Sequence, residues 1–453
     1  MKSSDKTAIF ESASIPSAVA QLAIPTVASS LVMVIYSLAD TFFVGLLNSS
    51  IQTAAVSLAS PVLLAFNAVN NLFGVGTSSM MGRALGCKDY DVVKRSSAFG
   101  FWAALISGIL FSVLYTTFSG PLLGVLGATS DNVAVTAAYL RWTVTCGAAP
   151  AILNVVLAYL VRSEGAAFHA SIGTMGGCVL NILLDPFFVL PFGLNMGAAG
   201  AGLATFISNC FACLYFFILL FVRRGNTYVC INPRMAAPRS SIVKGIFIVG
   251  IPASIQNLLN VTGMTILNNF ASAYGSAAVA AFGICQKIYM VPMQIAWGLS
   301  QGVMPLISYN YGNGTYARIK KALVFTAEIS LGFLIVAVVV LYAFSGTFVW
   351  LFIKDAEIIA YGTRILRGMC LALPFFCIDF LGVATFQSCG KGGYALVFAI
   401  MRKIVLEIPA LFILNALFPL YGLAYAQPFA EFVLAIASVV TLMRMFRKLD
   451  AGR

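Results

Sequence analysis

Long apolar runs, interrupted at intervals by clusters of Gly, Pro and polar residues, dominate the chain. They predict twelve segments, at about residues 15–47, 53–82, 96–119, 132–158, 170–190, 197–222, 242–272, 277–306, 320–346, 356–386, 393–417 and 422–446. A helix needs about 20 residues to cross the apolar layer of a bilayer, and each run is of that order. The stretch from Val62 to Ala84 is polar for such a span, carrying Asn67, Asn70, Asn71, Thr77, Ser78 and Ser79, so one of its faces is expected to meet water or other helices. A dozen spans would use about 270 residues at this length. That leaves loops and no room for a catalytic domain outside the membrane.

Composition agrees with the pattern. Of 453 residues 60% are hydrophobic and 9% charged, against about 25% charged in soluble domains, and the mean hydropathy is +0.95. The expected fold class is an all-α integral membrane protein with twelve transmembrane helices. The net charge of +12 raises the question of nucleic acid, but the bases are distributed by topology. Alternate connections carry Lys2 and Lys6; Arg83, Lys88, Lys94 and Arg95; Arg162; Arg223, Arg224, Arg234, Arg239 and Lys244; Arg318, Lys320 and Lys321; Lys391; and Arg444, Arg447, Lys448 and Arg453. The intervening connections carry only Lys354. By the positive-inside rule both termini are then cytoplasmic and no nucleic-acid partner is implied.

The first 14 residues are polar, the apolar stretch after them is far longer than a signal-peptide core, and the first span is expected to be retained. None of the ten cysteines falls in an inferred outside loop, so disulfides are not expected. Cys210 and Cys213 are spaced as C-x-x-C but sit in an apolar helix without a nearby His, which reads as packing. The triplet at Asn48, N-S-S, would matter only in a eukaryotic secretory pathway.

The chain repeats itself. Pro25 matches Pro252 at an offset of 227; Gly76 and Gly86 match Gly302 and Gly312 at 226, as Tyr90, Lys94 and Arg95 match Tyr316, Lys320 and Lys321. Cys146 and Pro150 match Cys370 and Pro374 at 224, and Gly165 and Gly197 match Gly390 and Gly422 at 225. This predicts two six-helix lobes, residues 1–222 and 242–453, joined by a cytoplasmic linker 223–241. Six is even, so the lobes share one orientation and form a parallel repeat with a cavity between them, an architecture of transporters.

Ionisable residues inside spans cost several kcal/mol unless paired or hydrated, so each is a candidate. Asp40 and Asp185 fall at similar depth, about eight and six residues from the outer ends of their spans; Asn181 precedes Asp185 by four and shares its face, and Thr205 reaches the same level. Two carboxylates, an amide and a hydroxyl suit Na⁺ or a shared proton. The competing reading is that these groups hydrogen-bond neighbouring helices near Pro25 and Pro186. In the second half Lys287, Asp379, Glu407 and Glu431 fall in mid-span, with Arg402 and Lys403 about ten residues into the eleventh; either that span starts later, or Lys403 pairs with Glu407. Among these acids Asp379 is favoured for function. Arg141 and Arg364 read as a structural pair, and His169, the one histidine, as a loop residue.

The segment G-L-S-Q-G-V-M-P-L-I-S-Y-N-Y-G (298–312), its first-half partner G-V-G-T-S-S-M-M-G-R-A-L-G (74–86), and Y-S-L-A-D-T-F-F-V-G, R-S-E-G, N-I-L-L-D-P and G-A-A-G-A-G-L-A-T resemble motifs of the MATE family, the multidrug and toxic compound extrusion transporters of bacterial type. The resemblance implies that Asp40 is the first-helix acid whose protonation or cation contact is linked to bending at Pro25. It implies that Asn181, Asp185 and Thr205 complete a first-lobe cation site, and that Asp379 is a tenth-helix acid used for coupling in one branch. That branch has a further acid near Asn260, absent here, which moves the weight to the first lobe.

The function expected is a cation-coupled antiporter, driven by H⁺ or Na⁺, that exports hydrophobic, cationic organic compounds from the bacterial cytoplasm by alternating access, as a monomer in the plasma membrane without a cofactor. A lipid-linked sugar flippase of the same superfamily is the alternative, but it would need a cavity rich in Arg and Lys. An intramembrane enzyme would need a nucleophile, metal or His constellation, which these residues do not suggest.

Overall fold

The computed structural model describes residues 7–237 and 239–451, so Lys2, Lys6 and Arg453 of the basic loops lie outside it. Among the described residues there is no strand. The spans are α1 (Ile15–Gly45), α2 (Ser50–Gly86), α3 (Tyr90–Gly124), α4 (Val133–Cys146 and Ala148–Ser163), α5 (Ala167–Val189) and α6 (Ala198–Val222), then α7 (Ser240–Ser272), α8 (Ser276–Gly312), α9 (Tyr316–Ala343), α10 (Ala356–Cys370 and Leu373–Ser388), α11 (392–417) and α12 (Leu423–Ala451). Each predicted run becomes one of them. The eleventh begins at Gly392, close to where the pattern placed it, so Arg402 and Lys403 lie within the span rather than before it.

Local chemistry sets where helices begin and turn. Asp89 accepts from the Val92 amide at 3.1 Å and opens α3, and Asp355 accepts from Glu357 and Ile358 at 2.9 and 3.1 Å and opens α10. The repeat-matched Gly165 and Gly390 both turn through positive φ, +90° and +72°, at the exits of α4 and α10, a conformation that glycine adopts without a steric penalty. The repeat also explains two breaks. α4 bends by 50° beside Cys146 and Pro150, and α10 by 43° beside the matched Cys370 and Pro374. Duplication thus carried a bend, not merely a sequence.

α1 to α6 and α7 to α12 form two bundles that meet through α1 on α8 and α2 on α7 and α8. Glycine permits the approach, as small residues do between helices in lipid. A Cβ on Gly86 would lie 2.0 Å from the Tyr309 carbonyl oxygen, and one on the matched Gly312 would lie 2.1 Å from that of Arg83. Gly76 meets the Ile246 carbonyl oxygen of α7 and Gly302 meets Ala23 of α1, each at 2.5 Å by the same measure. Both pairs were visible as repeat positions; their partners across the interface were not.

These contacts gather at the end of the bundles that carries the basic loops. A short helix, Ala8–Glu11, sits there against both lobes. Phe10, fully buried, stacks on Tyr309 of α8 at 4.9 Å between ring centres and approaches Gly165 at the end of α4. Arg318 donates to the carbonyls of Phe10 and Ala13 at 2.6 and 2.5 Å, and Asn310 donates to Phe10 at 3.2 Å. The connection between lobes is pinned as well: Trp102 donates to Ile231 and Ser97 to Cys230, at 3.0 and 3.1 Å. Cys213 donates its thiol to the Pro150 carbonyl at 3.3 Å, in keeping with a packing role.

A bulky side chain at Gly86 is expected to pry this end apart. Overpacking costs about 1–3 kcal/mol, so Gly86→Val should move a large share of molecules to a longer distance between spin labels placed at Lys88 and Asn313, with the wild-type distribution short and narrow.

Candidate functional site

In the first lobe Asp185 and Asn181 project from one face of α5 and are almost wholly inaccessible. The Asn181 amide satisfies its neighbours in one orientation: its NH₂ donates to Asp185 Oδ2 at 3.0 Å while its carbonyl accepts from the Thr205 hydroxyl and backbone amide at 3.2 and 3.0 Å. Thr205 belongs to α6, so the amide ties two helices and holds one side of the carboxylate. Asp40, half-buried on α1, is near enough to Asp185 for the two charges to act on each other. The four residues picked from their depth in the sequence therefore form one cluster.

Two tyrosines complete it. The Tyr36 hydroxyl interacts with Thr205, and Tyr36 and Tyr139 both lie within the field of Asp40 and Asp185. Tyr36 precedes Asp40 by one helical turn, so i,i+4 spacing could have marked it. Tyr139 comes from α4, and nothing in its local sequence ties it to the acids. Asp40 Oδ1 and Asp185 Oδ1 are buried without a hydrogen-bond partner. A pair of carboxylates with free oxygens, flanked by hydroxyls and an amide, matches the donor chemistry of a small hard cation or a proton.

Pro25 lies in α1, which continues as a helix past it, and a proline there removes one backbone hydrogen bond to the preceding turn. Together with Gln21, Phe168 and Arg223 it lines a groove of about 760 Å³ near the basic end. His169 is in the first turn of α5 rather than in a loop and lies 2.7 Å from Arg223 Nη2 and 3.2 Å from the Tyr215 hydroxyl. Lys287 and Arg141 are exposed, and Arg364 covers the ring of Tyr421 at 5.2 Å.

Asp379 is elsewhere. It lies in the second lobe on α10, fully buried, paired with the guanidinium of Arg402 from α11. Arg402 Nε also lies 3.4 Å from Glu431 Oε1 of α12. Lys403 donates to both oxygens of Glu407 at 2.7 and 2.6 Å, the pairing its spacing suggested. The structure brings none of these into the Asp40 cluster.

The MatE family pattern matches residues 25–187 and again 252–413, once per lobe. The chain belongs to the MATE family. It is 34% identical over 440 residues to the multidrug export protein MepA of Staphylococcus aureus (strain MRSA252), covering 96% of this chain and 95% of that protein. It is 34% identical over 447 residues to MepA of Staphylococcus haemolyticus (strain JCSC1435), covering 98% and 97%. A solved outward-facing multidrug resistance MATE transporter of the MOP superfamily superposes with a TM-score of 0.93 at 26% identity over 100% of both chains. A MATE structure in a bent conformation superposes at 0.90 and 26% identity over 99% and 98%. The two family matches begin at Pro25 and Pro252, the first repeat pair read from the MATE sequence itself.

The Asn181 bridge gives an expectation of stability in this MATE protein. Asn181→Ala removes donor and acceptor at once and leaves Asp185 Oδ2 unpartnered, a change worth about 1–3 kcal/mol. Thr205→Val leaves the backbone amide of residue 205 on Asn181 and should lower the melting temperature by less; equal losses in a thermal-shift assay would contradict the bridge.

Proposed function

We propose that the protein is a secondary exporter of hydrophobic, cationic organic compounds, driven by inward movement of H⁺ or Na⁺ through the Asp40 cluster. The observation that carries this is the juxtaposition of Asp40 and Asp185 with Asn181, Thr205 and Tyr36, with no basic side chain paired to either carboxylate among the described residues. Two carboxylates, one buried and one half-buried, that lack an internal counter-charge take their positive charge from solution. Their occupancy then differs between conformations, which is the differential affinity that alternating access requires.

The MepA relatives are named as multidrug export proteins, which supports organic compounds as cargo. By the positive-inside rule the basic end faces the cytoplasm, and the cross-lobe contacts at that end correspond to an outward-open state of a plasma-membrane protein. In that state cation binding at Asp40 from outside favours return to the inward-open arrangement, with Pro25 providing the weak point where α1 can bend. The flippase alternative loses support, because Arg402 and Lys403 are engaged by carboxylates of the second lobe.

Dye efflux from right-side-out vesicles, with Na⁺ and pH gradients imposed separately, tests the reading. Asp40→Asn is expected to reduce gradient-driven efflux at least tenfold, about 1.4 kcal/mol or more, with folding unchanged by thermal shift. Uphill efflux at the wild-type rate would remove Asp40 from the coupling mechanism.

A further inference from the structure

Among the described residues the second lobe buries five acidic and basic side chains in its centre: Asp379 on α10, Arg402, Lys403 and Glu407 on α11, and Glu431 on α12. Arg402 is 2% exposed and Asp379 and Glu431 are 0% exposed, so the three form a sealed triad rather than a surface pair. Arg402 is held between the carboxylates by its ion pair with Asp379 and by its Nε 3.4 Å from Glu431. Its flat guanidinium also lies over Phe380 at 4.8 Å and Phe376 at 5.7 Å, rings that fix its plane and supply attraction to the cation. Residues 401–407 are a π-helical segment, a wider turn of the kind that marks functional sites in helices. Arg402 and Lys403 are neighbours in this segment and both are buried. From the α7 side Gly263 packs against Lys403 and Glu407, and from α8 the Tyr289 hydroxyl accepts from Gln427 at 3.4 Å.

We infer that Arg402 is a tethered cation that occupies the carboxylate pair Asp379–Glu431, so that the second lobe carries its own counter-charge and takes up no exchangeable metal ion. A Na⁺ ion needs several oxygen ligands at once, and here the oxygens of Asp379 and Glu431 face a guanidinium that cannot leave, with the Lys403 ammonium close by. The asymmetry between lobes follows. The first lobe presents carboxylates without a base and the second presents carboxylates filled by one. Arg402 is a positioning residue that restricts coupling to the Asp40 cluster. The inference rests on the reading that a cation drives transport, but it concerns binding and is tested without transport.

The test is equilibrium binding of radioactive Na⁺ to the purified full-length protein, with choline as competitor. In Asp40→Asn/Asp185→Asn protein, where the first lobe is neutralised, saturable Na⁺ binding is expected to be absent. In the same background Arg402→Gln is expected to create a Na⁺ site at least about tenfold tighter than anything in the Arg402-intact protein, and Asp379→Asn added to it should abolish that site. A merely structural arginine would change stability and create no such site. The inference is overturned if Arg402-intact protein with a neutralised first lobe still binds Na⁺ and loses that binding on Asp379→Asn, or if folded Arg402→Gln gains none. The first comparison does not require Arg402→Gln to fold. Loss of coupling in Asp40→Asn vesicles is read separately, so failure of the exporter reading would leave the binding result standing.

Discussion

A charge inside a lipid-solvated bundle has to be neutralised by something within reach, because hydrocarbon offers neither water nor counter-ions, and an unpaired ion there is disfavoured by several kcal/mol. The two lobes of this MATE protein meet that constraint in opposite ways. The second lobe closes its account internally: Arg402 sits against Asp379 and Glu431, and Lys403 holds Glu407. The first lobe brings Asp40 and Asp185 together beside an amide, a threonine hydroxyl and two tyrosines, with no base paired to either acid among the described residues. A group that is always neutralised cannot report which conformation the protein is in. One that must borrow its positive charge can, which is the physical basis for proposing the first lobe as the coupling site.

The second constraint is closeness. Between helices in lipid there is no hydrophobic drive, so cohesion comes from surfaces that fit. Gly76, Gly86, Gly302 and Gly312 let α2 and α8 press their backbones onto the opposite lobe, and the contacts cluster at the basic end together with Phe10 and Arg318. Such an interface is made of many short-range contacts and few long side chains. Contacts of this kind depend on close alignment of the backbones, which fits the seal that the proposed transport cycle opens. Twofold duplication accounts for its symmetry, since each glycine was copied with its helix.

Much of this was legible. Apolar runs located the twelve spans, because a membrane helix must be apolar for a known length, and scarcity of charge made Asp40 and Asp185 conspicuous. Asn181 followed from its helix face. For Asp379 the sequence showed the acid but not its partner. As an acid in mid-span it read as a coupling residue, but its partner Arg402 lies 23 residues away on another helix, and no spacing rule joins residues across a turn between spans. Tyr139 was missed for the same reason. The bends in α4 and α10 and the π turn in α11 change how side chains are presented over one or two turns, and local pattern carries little signal for them.

By itself the sequence determined the solvent, the number and order of spans, the duplication and the short inventory of charged residues available for chemistry, because these depend on composition and on periodicities within single helices. Only the tertiary structure decided which carboxylates remain without a base and which are filled by one. Pairing of buried charges is a matter of distance between helices remote in the chain, and in a low-dielectric interior a few ångströms separate a neutralised ion from a working one.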